Sequence, residues 1–76
     1  MPRYVGNLHE KGNPSSNLGS FSIEAPSQEI AIADLSRQAL GEMERSAKAT
    51  ASLAMTEDGR GIGTIELESP KHAHRP

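Results

Sequence analysis

The run FSIEAPSQEIAIADLSRQALGEMERSA, residues 21–47, decides the fold. Phe21, Ile23 and Ala25 alternate with Ser22 and Glu24, the period of a half-buried strand. Pro26 breaks that strand, and Ser27 offers a hydroxyl to the free N–H groups of a helix beginning at Gln28. Glu29 suits the positive end of the helix dipole. From there the period is helical: Ile32, Leu35, Ala39, Leu40, Met43 and Ala47 fall within an arc of roughly 140°. Asp34, Arg37, Gln38, Gly41, Glu42, Glu44 and Arg45 take the rest of the circumference. One strand feeding one amphipathic helix needs a sheet for the helix to lie on.

The flanking residues supply that sheet. Residues 3–9 read as a strand with Tyr4 and Leu8 on one face, and Gly6 between them weakens it unless something approaches closely there. Residues 10–17, EKGNPSSN, form a loop that returns the chain so that 18–25 pairs with the first strand. Its length exceeds what a tight hairpin needs. Beyond the helix, residues 49–56 alternate again, and 61–68 return with Gly63, Ile65 and Leu67 on one side. A two-residue turn at Asp58-Gly59 would oppose Leu53 to Thr64, so a three-residue loop, Glu57-Asp58-Gly59, is expected. That loop sets Leu53 against Gly63 and Ala51 against Ile65. The small residues of this hairpin would let the helix lie close. Gly41 implies a bend or a close backbone within the helix, and the pairs Asp34/Arg37, Glu42/Arg45 and Glu44/Lys48 suit its outer face. The expected fold is α+β: a four-stranded antiparallel sheet (ββαββ) with one amphipathic helix on one face. Residues 1–70 make one domain, and 71–76 are expected to be a flexible tail.

A chain of 76 residues buries only about 60% of its unfolded surface, and here it does so with one Phe, one Tyr, no Trp and no Cys. The absence of cysteine excludes disulfide bracing, a thiol nucleophile and a thiolate metal site. A net charge of −2 gives neither the basic face of a nucleic-acid binder nor the large acidic excess of a polyanion mimic. No apolar segment follows Met1-Pro2-Arg3-Tyr4 as in a signal peptide, and the longest apolar stretch, residues 30–33, is too short to span a membrane. A cytoplasmic location is the expectation.

The spacing Gly59-Arg60-Gly61-Ile62-Gly63 is followed by a strand, whereas a phosphate-cradling loop must open a helix. Its glycines are read as a turn and as room for the helix. His72 and His74 lack the further ligands and the supporting shell of a metal site, and His9 stands alone. No cofactor is expected. Ten carboxylates are present, but a core this small hardly encloses the pocket that a general acid or base requires. Ser15, Ser16 and Ser20 lie near His9 without an orienting acid in any recognisable pattern. Tyr4 alone is no platform for stacked bases.

In its order of elements the chain resembles compact phage-encoded inhibitors, the type I anti-CRISPR proteins in particular. The likeness rests on Met1-Pro2-Arg3-Tyr4, on Asn13-Pro14-Ser15-Ser16, and on Ser20-Phe21-Ser22-Ile23-Glu24-Ala25 leading into a helix that ends near Gly41-Glu42. It implies a non-enzymatic protein that occupies a surface of a host CRISPR effector, inside a bacterial host. The resemblance carries over no site residue, because the group shares no motif. The residues themselves nominate a contact surface of exposed charged groups: Glu10, Lys11, Asp34, Glu57, Asp58 and Arg60. The alternative expectation is a self-associating structural or accessory subunit, or a homodimer. In that case the strand ending at Glu68 joins another chain's sheet edge, with Glu66 and Glu68 guarding against nonspecific pairing.

Overall fold

Alternation on either side of one helical run becomes four strands and a helix in the computed structural model, which describes residues 1–69. Strand β1 spans Arg3–His9, β2 Gly19–Glu24, helix α1 Gln28–Arg45, β3 Thr50–Glu57 and β4 Arg60–Glu68. All neighbouring strands are antiparallel, in the order β2-β1-β3-β4, and α1 joins β2 to β3. The fold is α+β with ββαββ order, as the change of period at Pro26 requires. The tail at 71–76, with its two histidines, lies outside the described residues.

Helix α1 starts where its cap predicts: the Ile30 N–H donates to Ser27 Oγ at 3.3 Å. Its buried stripe is Ala31, Leu35, Ala39 and Met43, at every fourth position, while Ile32 and Leu40 flank it half-buried. Ala47, expected on that stripe, has left the helix. The Ala47 N–H donates to the Glu44 carbonyl at 3.2 Å and the Lys48 N–H to the Met43 carbonyl at 2.8 Å. This pair of bonds is a Schellman closure, and it forces Ala47 to φ +57°, a conformation usually given to glycine. Lys48 is thereby turned away from Glu44 and pairs with Glu10 at 3.0 Å. The other two expected pairs form, Asp34–Arg37 at 3.0 Å and Glu42–Arg45 at 2.7 Å. Nothing crowds Gly41: an added Cβ would meet only the Arg45 guanidinium, 4.0 Å away.

The stripe of α1 packs on one face of the sheet, against Tyr4 and Leu8 of β1 and Ala51, Leu53 and Met55 of β3, all buried. Phe21 and Ile23 of β2 pack at the margin. Gly6 sits beneath this contact. A Cβ there would lie 3.0 Å from Leu53 Cδ1 and 3.6 Å from Leu35 Cδ1, so helix and sheet together supply the close approach that makes a glycine suit this strand. Among the described residues no helix covers the opposite face of the sheet, which besides Val5 is made of small and polar residues, among them Asn7, Ser20, Ser22, Ser52 and Thr64.

The β3–β4 hairpin differs from expectation in its turn and its register. Asp58 and Gly59 form a two-residue turn with φ +51° and +85°, the positive pair that a type I′ turn requires. Pairing begins at Glu57↔Arg60 and Thr56↔Gly61, which if continued would oppose Leu53 to Thr64. Ile62 is instead an extra residue on β4, a bulge that moves the remaining pairs by one. Leu53 therefore faces Ile65 and Ala51 faces Leu67. The apolar face is preserved as the alternation demanded, but by a bulge and two residues away from the expected register. The glycines here make no room for the helix either: a Cβ at Gly59, Gly61 or Gly63 would meet nothing within 4 Å. Gly59 serves the turn, and Gly63 takes φ +145° beside the bulge.

Candidate functional site

Antiparallel pairing sends the two hairpin tips to opposite ends of the sheet. Six steps of about 3.4 Å separate the ends of β1, roughly 20 Å in all. Glu57, Asp58 and Arg60 stand at one end, with Arg3 and Glu24 beside them. Glu10 and Lys11 stand at the other, with Lys48. Asp34 lies on the outer side of α1, engaged with Arg37. The six residues nominated from the sequence thus occupy three separate places.

At the turn end the backbone and carboxylates are interlocked. The Asp58 N–H donates to the Arg3 carbonyl at 2.8 Å, and the Arg3 N–H donates to Asp58 Oδ1 at 3.0 Å. Gln28 Nε2 donates to Glu57 Oε1 at 3.2 Å, tying the first turn of α1 to the hairpin, and Arg3 reaches Glu24 at 3.4 Å. Glu57, Asp58 and Arg60 line an open depression of about 210 Å³. Burial, followed by the negative charges of Glu57 and Asp58, raises the Tyr4 phenol above its ordinary range. Arg60 is exposed and belongs to none of the ion pairs among the described residues.

The loop end is held by its own polar groups. The Glu10 N–H donates to Ser16 Oγ at 2.6 Å, and Lys48 Nζ donates to Glu10 Oε2 at 3.0 Å. The hydrogen bond and charge of Lys48 hold the Glu10 carboxyl below its ordinary value. Glu42 is held low in the same way, by hydrogen bonds from Arg45 and Ser46. A shallow depression of about 310 Å³ opens here between Glu10, Lys11, Ala47, Lys48, Ala49 and Thr50.

One row on the bare face brings together residue types that sequence reasoning did not connect. His9, Ser52 and Glu66 are cross-strand neighbours on β1, β3 and β4. Ser52 Oγ donates to the Glu66 carboxylate, 2.9 and 3.0 Å from its two oxygens, while His9 Nδ1 lies 3.1 Å from the Glu10 carbonyl. A hydrolytic relay places the imidazole between hydroxyl and acid, so this order does not activate the serine. Only the strand order reveals the row, because its members are 43 and 14 residues apart. Among the described residues no group of three metal-ligating side chains converges, and no helix is long and apolar enough to cross a membrane. No protein-family model, no curated protein and no solved structure matches the chain.

Proposed function

We propose that this chain is a non-enzymatic binding protein that occludes a basic surface of a nucleic-acid-processing complex in a bacterial host, as its resemblance to type I anti-CRISPR proteins implies. The interlocked turn end carries this reading. Glu57 and Asp58 are presented on a two-residue turn whose backbone is bonded to Arg3, so little ordering remains to be done on docking. In the depression they line with Arg60 the two carboxylates outnumber the one cation, and such an excess of negative charge speeds encounter with a basic groove and fixes its orientation.

The test is calorimetric titration of the host CRISPR effector with the wild-type chain and with a Glu57→Gln/Asp58→Asn double variant. Both replacements keep a side-chain oxygen for Gln28 and for the Arg3 N–H, so the turn is retained while its charge is removed. Affinity should fall about tenfold or more, with a weaker salt dependence. Equal affinity for both chains at physiological salt would remove this surface from consideration.

A further inference from the structure

We propose that Asp58-Gly59 is a site of covalent self-modification, where the aspartyl linkage converts to an isoaspartyl one, and that the β3–β4 turn sets how fast. This does not rest on the turn-end reading above. Conversion needs an aspartate or asparagine followed by a backbone nitrogen that can reach its side chain. Of the two aspartates and three asparagines in the chain, only Asp58 precedes a glycine. Asp34, Asn7 and Asn17 precede leucines, whose side chains crowd the approach, and Asn13 precedes Pro14, which has no N–H. Asp58 and Gly59 are both exposed, and a Cβ at Gly59 would meet nothing within 4 Å. The Gly59 N–H makes no backbone hydrogen bond among the described residues. Nucleophile and water are both at hand.

In the first step the Gly59 nitrogen bonds to Asp58 Cγ. The hydroxyl of the protonated carboxyl leaves with the amide hydrogen as water, and a cyclic imide closes. Water then opens the ring. Cleavage of the bond between nitrogen and Cγ restores aspartate, whereas cleavage between nitrogen and the α-carbonyl carbon leaves the chain running through Cβ. The folded turn opposes the first step. With φ +51° and +85° it is of type I′, which sets ψ of its first central residue at about +30°. That angle turns the Gly59 nitrogen away from Cβ. Asp58 Oδ1 accepts from the Arg3 N–H at 3.0 Å and the Asp58 N–H donates to the Arg3 carbonyl at 2.8 Å, so side chain and backbone are held together. Closure waits for the turn to open. The product cannot rebuild what it left, because isoaspartate adds a backbone atom to a turn that has room for two residues. Conversion therefore unlocks the turn end and removes the register that this turn imposes on β4.

Incubation of the full chain in heavy-oxygen water at mildly acidic pH, with and without urea, tests the proposal. Peptide mapping then reads each passage through the imide as a heavy oxygen kept at residue 58, and electron-transfer fragmentation distinguishes the two isomers. In denaturing urea, residue 58 should gain label and isoaspartate while Asp34 gains far less. Without urea the gain should be slower by about tenfold or more. Below the unfolding transition it should not vary with urea, since opening one turn exposes little surface. Arg3→Pro removes the N–H that holds Oδ1, at the first residue of β1, and should speed labelling in native buffer without changing the rate in urea. Equal rates with and without urea, or equal labelling of Asp34, overturn the proposal. So does a native rate that climbs with urea from the lowest concentrations, which would make the whole domain the gate. A folded Arg3→Pro that labels no faster refutes the clamp. If Arg3→Pro does not fold, the urea series on the wild type decides alone.

Discussion

In the β1–β2 hairpin nine residues, 10–18, carry the chain between strands, whereas β3 and β4 are joined by Asp58 and Gly59 alone. The long loop folds on itself. Ser16 Oγ accepts from the Glu10 N–H, the Ser16 N–H donates to the Asn13 carbonyl at 3.1 Å, and Ser15 Oγ donates to Asn13 Oδ1 at 2.8 Å. The pairing it delivers runs unbroken from Leu8↔Gly19 to Arg3↔Glu24. The short turn delivers a pairing that fails after two steps and is repaired by the bulge at Ile62. A loop with slack leaves register to the side chains that must be buried. A two-residue turn imposes a register of its own, and the strand carries the correction.

The largest expected effect lies where the two hairpins meet. Gly6 pairs with Phe21 on one side and Met55 on the other, and it has no space above it. Gly6→Val should destabilise the domain by about 2–3 kcal/mol, since Leu35 and Leu53 are themselves fully buried. Urea unfolding should still show one transition; two would mean that the hairpins are independent. The turns themselves come next. Gly59 and Gly12 have nearly the same φ, +85° and +78°, and neither would meet a neighbour through a Cβ. Gly59→Ala should lose about 1–2 kcal/mol, because the two-residue turn cannot change without moving the register. Gly12→Ala should lose less than about 1 kcal/mol, because the long loop relaxes around it. Equal losses in thermal melts would mean that the long loop is no more forgiving than the two-residue turn.

A gain is expected at the entrance to the second hairpin. Ala47 holds φ +57° to close α1, so Ala47→Gly should raise stability by about 0.5–1 kcal/mol in denaturant titration. The smallest effect is electrostatic. Lys48 ties the helix end to the long loop and depresses the Glu10 carboxyl. A depressed carboxyl contributes stability above its unfolded value, near 4.5, and that contribution disappears as pH falls through the lower folded value. Denaturation midpoints measured from pH 7 to pH 3 should therefore fall more gently in Lys48→Gln than in the wild type. Identical slopes would show that the tie adds nothing to the long-loop side.

Much of the molecule is legible along the chain because local chemistry settles it. The cap at Ser27, the stop at Pro26 and the switch from alternation to a 3.6-residue period are each contained within a few residues, and the strands and helix form where these place them. Alternation also fixed which side chains share a face, and Leu53 does face an apolar partner. The period of two cannot distinguish registers that differ by two, so Gly63 and Ile65 were equivalent partners on paper. The candidate surface was less legible. Polarity suggests exposure for all six nominated residues. Lys11, Asp58 and Arg60 are exposed, whereas Glu10, Asp34 and Glu57 are half-buried by the partners they bind. Their division among two ends and a helix face follows from strand direction. The lock between Arg3 and Asp58 joins residues 55 positions apart and leaves no local trace.

The sequence by itself determined the inventory: four strands and one capped helix, each with one face turned to a shared core. Only the tertiary structure decided that β1 lies inside the sheet and β4 at its edge, that Lys48 turns to Glu10, and that the hairpin carries a bulge. The physical reason is range. Backbone preference and periodicity act over a few residues, while strand order and register are set by which distant apolar faces pack together under one helix.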